Sequence, residues 1–506
     1  MSKYGAQPAV VSYFFGKCYR DVGNTIKGAF SRNGVSIAEL WQKRGEISMN
    51  HESKIAIIFL NILDIMGIVA VAFFGSIITL LMSALMCVVF IFMMAGVYVA
   101  FTFIYLVDHI YLQRHKIFTA CNECKEKSLI PTYICPSCGA QHTYLVPSKY
   151  GILHRTCECG EKLPTTFFNG RRDLQAICPH CGAPLNDRET VPICIPIVGG
   201  RSVGKTAFIT AFSEQFFNEV APSNGWEVEF YNESKERIYN EIQSAYQSGD
   251  TIMTTRQTDI TKPSAISFSF FVKGKDFTPE RLVHVYDIAG EIFTQNSENE
   301  VQKQYEYCQG IVLVIDPFAI PAYRMEAESM LTKEDLAGIG NADINDITDS
   351  FLNKLREVTG LTESKMASVP LAVVISKIDS ADLEDRLGDA AIRAQMAVDP
   401  ELFSDYYNTE DFLCRAFLKD YGMDSFLESV NMRFKTNRFF ACSAIGHTRN
   451  AGKYEPEGVL QPMEWLFHHA DKHMKTTWTQ FEITDRLITQ KDLDNAAKKA
   501  AAAAQA

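Results

Sequence analysis

The sequence predicts an α/β domain built on a mixed, mainly parallel sheet with helices on both faces, preceded by a two-helix transmembrane hairpin and small zinc-ribbon modules. Three observations lead there: a phosphate-loop motif at the end of an apolar run, a long uncharged stretch, and eight cysteines in close-spaced pairs. At 506 residues the chain is long enough for several domains. The net charge of −11 argues against general nucleic-acid binding, which calls for an excess of Lys and Arg.

Residues 1–54 hold eight Lys or Arg against four Asp or Glu and read as a basic cytosolic arm, with packing on a membrane surface as the alternative. No short apolar core with a small-residue cleavage site follows the first basic residues, so no signal peptide is expected. Ile55 to Val107 is almost unbroken apolar sequence. As one helix its 53 residues would reach about 80 Å, against a hydrocarbon core of about 30 Å. Two crossings with a turn between Gly75-Ser76 and Met82-Ser83 are therefore expected. Lys43, Arg44 and Lys54 flank one end and Arg114 and Lys116 the other, which puts both termini on the cytoplasmic side of a bilayer. Asn61 and Asp64 inside the first crossing are expected to reach the interface or pair between helices.

Of fourteen cysteines, eight lie between Cys121 and Cys181. A CxxC knuckle offers two thiolates from one tight turn, and two knuckles complete a tetrahedral zinc site. In sequence order, Cys121, Cys124, Cys135 and Cys138 make a first site over residues 117–185, and Cys157, Cys159, Cys178 and Cys181 a second. His154 and His180 are substitute ligands for the second. One or two Zn²⁺ are expected, in ribbons that serve as spacer or protein contact; Glu123, Glu126, Glu158 and Glu161 leave no basic face for DNA.

The remaining motifs fall in residues 191–480. Val191 to Thr206 reads VPICIPIVGGRSVGKT, an apolar run ending in the GxxxxGK[ST] pattern. Gly199, Gly200, Arg201, Ser202, Val203 and Gly204 form a loop whose backbone N–H groups cradle phosphates. Lys205 reaches the β- and γ-phosphates, and Thr206 ligates Mg²⁺. A helix from Lys205 to about Val220 turns its positive end to the same anion. A Thr-rich stretch from Gly249 to Pro263 is the first switch candidate, with Thr255 as γ-phosphate sensor and Thr254, Thr258 and Thr261 as alternatives. Strands are expected at Ile266–Val272 and Arg281–Asp287. The second runs into Asp287-Ile-Ala-Gly290-Glu291, where Asp287 holds Mg²⁺ through water and the Gly290 N–H approaches the γ-phosphate. Ile311–Ile315 and Leu371–Ile375 read as buried parallel strands, the latter leading into Ser376-Lys377-Ile378-Asp379. Arg438–Ala441 leads into Cys442-Ser443-Ala444.

Four ordered motifs at strand ends, over about Pro192 to His447, resemble the TRAFAC-class GTPases, the Ras-like and translation-factor type. The resemblance implies GTP/GDP as ligand and hydrolysis of GTP as activity. It makes Asp379 the reader of the guanine N1–H and amino group, Lys377 the stem over the base, and Ser443-Ala444 the last base contact. Ser376 stands where that class has an Asn bracing the phosphate loop, which lowers the expected guanine affinity. Glu291 replaces the water-positioning Gln, so slow turnover is expected, with Lys205, Glu291 and Thr255 as the catalytic candidates. Membrane segment, cysteine knuckles and long inserts together are similar to bacterial double-GTPase type proteins. The apolar segment and the nucleotide motifs together lead to the expectation of a membrane-anchored GTP-binding switch with protein partners. Its rivals are a catalytically weak scaffold and an ATP-driven machine.

Toward the C-terminus, Glu464–Met474 reads as one amphipathic, solvated helix carrying His468, His469 and His473. Residues 481–506 read as a helical tail.

Overall fold

The computed structural model describes residues 7–50, 53–121, 123, 124, 126–185, 189–200, 202–248, 267–275, 277–287, 308–331, 344, 368–446, 454–479, 487–489, 491–496 and 498, with backbone alone at 48–50, 120, 245, 267, 286 and 287. The chain divides into two compact units, Met1–His115 with Leu129–Arg188, and Lys116–Ser128 with Glu189–Ala506.

In the first unit the N-terminal arm is a helix, α1 (Lys17–Asn50). The expected apolar hairpin is absent. Helices α2 (Lys54–Ala70) and α3 (Ser76–Arg114) are joined by a π-helical turn at Val71–Gly75 into one continuous rod of 61 residues. A tight turn at Gly75-Ser76 would leave several backbone N–H and C=O groups without helical partners in largely apolar surroundings, more than the hydroxyls of Ser76 and Thr79 can satisfy. One helical Gly costs only about 1 kcal/mol, so the helix runs on and a π-turn absorbs the irregularity. The hairpin that does form pairs α1 with this rod. Asn33 donates to Thr79 Oγ1 at 2.8 Å, Tyr19 packs edge-on against Phe90, and Phe15 against Tyr98 and Phe101. These contacts run antiparallel: low numbers on α1 meet high numbers on α3. Gly67 faces Leu40 of α1, whose Cδ1 would be in ordinary van der Waals contact, at 3.5 Å, with a Cβ at that position.

Beyond α3 the first unit continues as short antiparallel strands around the cysteines: Thr132–Ile134 pairs with both Gln141–His142 and Ala176–Ile177, and His154–Thr156 pairs with Lys162–Pro164. Arg171, fully buried, joins this module to the end of α3. Its Nη1 lies 3.0 Å from Asp108 Oδ2 and donates to the Leu145 and Thr165 carbonyls at 3.1 and 2.9 Å, while Asp108 Oδ1 accepts from the Phe167 N–H at 2.8 Å.

The second unit is a three-layer α/β domain. Its strands are β1 (Val191–Gly199), β2 (Glu227–Phe230), β3 (Ser267–Lys273), β4 (Arg281–Asp287), β5 (Ile311–Ile315), β6 (Leu371–Ile375) and β7 (Asn437–Ala441). They lie in the order β2-β3-β4-β1-β5-β6-β7, antiparallel across β2-β3-β4 and parallel from β4 to β7. Strand alternation puts Ile193, Ile195 and Ile197 on one face of β1 and Cys194 and Val198 on the other, so both faces are apolar and both are covered. The first face packs on α4 (Lys205–Gln215), α5 (Glu233–Gln247) and α8 (Leu460–Ala470); the second packs on α6 (Tyr406–Asp420) and α7 (Asp424–Arg433).

The last predicted helix is two. Asp471 ends α8 and caps α9 (Lys472–Thr477), accepting from the N–H groups of His473 and Met474 at 2.7 and 3.2 Å. Helix α8 is largely buried, His468 included, rather than solvated. Of the expected tail, only residues 487–489, 491–496 and 498 fall within the described residues.

Candidate functional site

The carboxyl ends of β1, β5, β6 and β7 lie side by side, where open parallel sheets bind ligands. Gly199, paired with Val314, ends β1; a Cβ on it would meet the Val314 carbonyl oxygen at 2.4 Å, so the close approach of backbone to backbone requires glycine. Gly204, at φ +93°, precedes α4 in a left-handed conformation, and Ser202 is left-handed at φ +62°. Between them Val203 is buried. Lys205 opens α4 and curls back over the loop. Its buried ammonium donates to the carbonyls of Gly199 and Gly200 at 3.0 and 2.7 Å. Thr206, half-buried, follows on the first turn.

On β6 the chain turns sharply after Ile375, with Lys377 left-handed at φ +60°. The Ser376 hydroxyl lies 2.8 Å from the Val203 carbonyl and 3.0 Å from that of Ile315. The brace on the phosphate loop that the missing Asn was expected to remove is therefore present, made by a shorter side chain. Lys377 Nζ pairs with Asp316 Oδ2 at 2.6 Å. Asp316 is buried directly after β5, and its other oxygen accepts from the Phe318 N–H at 3.0 Å. The sequence signal was there, an acidic residue between a buried strand and a Pro, but its role as the lysine's anchor was not read from it.

Asp379 and Ser443 come together from β6 and β7: the Ser443 hydroxyl donates to Asp379 Oδ1 and accepts from the Gly446 N–H at 2.7 Å. The Ala444 carbonyl accepts from the Tyr246 hydroxyl at the end of α5. The Ser443-Ala444 segment is thus fixed from two sides.

It is also fixed from beneath. Strand β7 is a sheet edge, and two consecutive carboxylates of α6 bond its outward N–H groups: Glu410 accepts from Ala441 at 2.9 Å and Asp411 from Phe439 at 2.8 Å. Burial pushes the Glu410 carboxyl up to about 8, with the Ala441 N–H and the Arg438 guanidinium opposing and Asp411 and Asp389 adding to the rise. Burial likewise raises the thiol of neighbouring Cys442. Nothing in the motif spacing marks Glu410.

Asp287 ends β4, paired in register with Ile197 of β1, which brings its backbone beside the phosphate-loop strand. Arg201, Thr255, Gly290 and Glu291 lie outside the described residues, as do Thr254, Thr258 and Thr261.

The cysteine pairing differs from the expected one. In the first unit Cys135 and Cys138 gather with Cys157 and Cys159, all four sulfurs within 4.8 Å of one another. Sequence order would have joined Cys135 and Cys138 to Cys121 and Cys124. The reversal follows from the fold: the Ser137 hydroxyl donates to Glu161 Oε2, tying the two knuckle turns together. Cys178-x2-Cys181 forms a further knuckle in the first unit, its turn closed by Cys178 N–H to Ala183 O at 2.8 Å. Cys121-x2-Cys124 is another in the second unit, closed by Cys121 N–H to Glu126 O at 3.0 Å. His154 and His180 belong to no ligand group among the described residues.

Residues 193–410 match the family model described as Double-GTPase 2. Over this stretch, less than half of the chain, the domain is similar to the double-GTPase type. The match ends at Glu410, before β7 and Ser443-Ala444. No curated protein matches the chain. Among solved structures, the Arl6 small GTPase from Trypanosoma brucei with a bound nucleotide analogue is 13% identical, covering 56% of this chain and 98% of that one at a TM-score of 0.22. The GTP-bound GTPase-like domain of S. cerevisiae Ski7 is 13% identical, covering 56% of this chain and 50% of that one at 0.28. The G domain of the T. maritima FeoB transporter is 10% identical, covering 55% and 99% at 0.21. At such TM-scores these likenesses carry no weight; strand order and the family match carry the domain's assignment.

Proposed function

We propose that the chain is a membrane-anchored GTP-binding switch that hydrolyses GTP slowly. The carrying observation is the joining of Asp379 to Ser443 beside a phosphate loop braced by Ser376. A carboxylate there accepts the two N–H donors of guanine's edge; adenine presents no such pair, so Asp379 reads the base. Lys377, held by Asp316, lays its stem along the base face. The loop N–H groups and the α4 N-terminus take the phosphates, and Lys205 exchanges its loop carbonyls for phosphate oxygens. Thr206 and Asp287 would hold Mg²⁺, which supplies charge neutralisation on the β- and γ-phosphates. Thr255 senses the γ-phosphate, the Gly290 N–H approaches it, and Glu291 orients water. Slow hydrolysis is what a carboxylate in place of an amide implies, because it accepts a proton from water but donates none.

The exposed apolar surface of α2 and α3 contacts lipid, and nucleotide state is read by protein partners. N-terminus and ribbon module share one side of the bilayer, since residues near the start of α1 lie against the far end of α3. Zinc is the ion for the cysteine knuckles, whose eight thiolates suffice for two.

The test is equilibrium binding of GDP and ADP to the purified chain with Mg²⁺. A GDP preference of tenfold or more, about 1.4 kcal/mol, that collapses in Asp379→Asn is expected. Equal or stronger ADP binding would move the weight to an ATP-driven machine. Guanine binding without turnover above that of Lys205→Ala would leave a scaffold.

A further inference from the structure

We propose that Cys135, Cys138, Cys157 and Cys159 hold one zinc ion, and that this ion locks residues 8–12 in place as an added strand ahead of α1. The inference rests on the first unit alone and is independent of what the nucleotide site binds.

The four sulfurs have the geometry of an S₄ site. Cys135 and Cys159 are 3.7 Å apart, and Cys138 and Cys157 3.6 Å. With Zn–S near 2.3 Å, the edge of a thiolate tetrahedron is about 3.8 Å. A disulfide needs about 2.0 Å and takes two sulfurs, not four. Both knuckles are preformed by their own backbone. Gly139 and Gly160, left-handed at φ +73° and +99°, donate to the carbonyls of Cys135 and Cys157 at 2.9 Å each. Cys135 and Cys157 donate in turn to Ala140 and Glu161 at 2.9 and 2.8 Å. Cys135 and Cys157 are buried while Cys138 and Cys159 are exposed, so an ion here is reachable from solvent.

The N-terminal segment is built onto this same knuckle. Ala9 bridges Cys157 in antiparallel register. Val10 N–H donates to Thr156 O at 2.9 Å, Glu158 N–H to Pro8 O at 3.1 Å, and Ser12 N–H to Lys149 O at 3.0 Å. Gln7 extends the contact through Thr143 and Arg155. Residues 8–10 therefore borrow their partners from the end of the His154–Thr156 strand and the Cys157 knuckle that follows it, and Ser12 from Lys149. A ribbon this small has little core to hold that strand without its ion. Zinc release frees the segment, and the start of α1 loses its tether.

Zinc counting tests the pairing in the full chain. Cys135→Ser/Cys138→Ser and Cys157→Ser/Cys159→Ser should each lose one ion, and the quadruple variant the same one ion. Loss of two ions in the quadruple variant overturns the pairing. Should the variants aggregate, chelator-driven release from the wild type, followed by alkylation and mass mapping, reads the same answer. Cys135, Cys138, Cys157 and Cys159 becoming reactive together supports the site; Cys121 and Cys124 reacting in step with Cys135 and Cys138, and not Cys157 and Cys159, overturns it. Hydrogen exchange tests the lock. The peptide covering residues 7–16 should exchange at least tenfold faster after zinc removal and recover when zinc is restored. Unchanged exchange overturns the lock.

Discussion

Ser376 has one hydrogen and two carbonyls in reach, Val203 at 2.8 Å and Ile315 at 3.0 Å, so it donates to one at a time. Ser376→Ala leaves a buried phosphate-loop carbonyl without its donor, which costs about 1 kcal/mol. GDP affinity measured by calorimetry should fall about fivefold; a change under twofold would show that the loop holds its shape without the brace. Glu410 gives a second residue-scale expectation. Its carboxyl is raised to about 8 by burial, whereas an unfolded Glu titrates near 4.3. Between those values the folded state keeps a proton that the unfolded chain has lost. Its contribution to stability is therefore full below about pH 4.3 and is lost as pH rises through about 8. Glu410→Gln keeps an acceptor for the Ala441 N–H and removes the titration. Its stability relative to wild type should rise from pH 5 to pH 8.5 in denaturant unfolding, and a flat difference would show that Glu410 is ionised throughout. Neither role was legible in sequence. A Ser in the wrong place for a motif looks like a loss until the Val203 carbonyl is seen beside it, and a Glu within an insert has no spacing to announce it.

At the scale of elements, legibility followed the strength of local pattern. Strands β4, β5 and β6 begin and end where apolar runs bounded by polar or acidic residues put them. The phosphate-loop helix starts at Lys205 as the motif requires. Apolar character alone, by contrast, could not distinguish a hairpin from a rod. A helix satisfies its backbone wherever it runs, so only a breaker would have marked a turn, and residues 75–83 contain none strong enough. The knuckle partners were equally hidden, because a CxxC pair supplies half a site without saying which half it meets. Long-range polar contacts of this kind are open to test. Arg171 and Asp108 are 0% and 3% exposed, and removing one partner of such a pair costs about 3–5 kcal/mol. Arg171→Met should make the segment at residues 162–177 exchange its amides much faster, and Arg171→Met with Asp108→Leu should restore part of that protection. Equal exchange in the single and double variants would mean that Arg171 acts through its carbonyl contacts alone.

For the whole molecule, the structure sharpens what membrane contact requires. The rod of α2 and α3, about 90 Å long, is long and apolar enough to cross a membrane and leaves nearly all of its apolar face exposed. Helix α1 lies against it with nine charged residues in its sequence, from Lys17 to Glu46. Charges at the bilayer centre are costly, so the proposed lipid contact would fall on the apolar side of the rod, with the charges of α1 in water or at the headgroups. Two exposed positions separate these surroundings: Val35 on α1, 53% exposed, and Phe92 on α3, 73% exposed. With the protein in liposomes, Val35→Cys should react with a membrane-impermeant thiol reagent at a rate close to that in detergent-free water. Phe92→Cys should be slowed at least tenfold, with reaction read on the peptide carrying each new cysteine. Protection of both would mean that α1 enters the bilayer with the rod. Free reaction at Phe92 would remove lipid as the cover of this surface and point to a protein partner for this apolar helix instead.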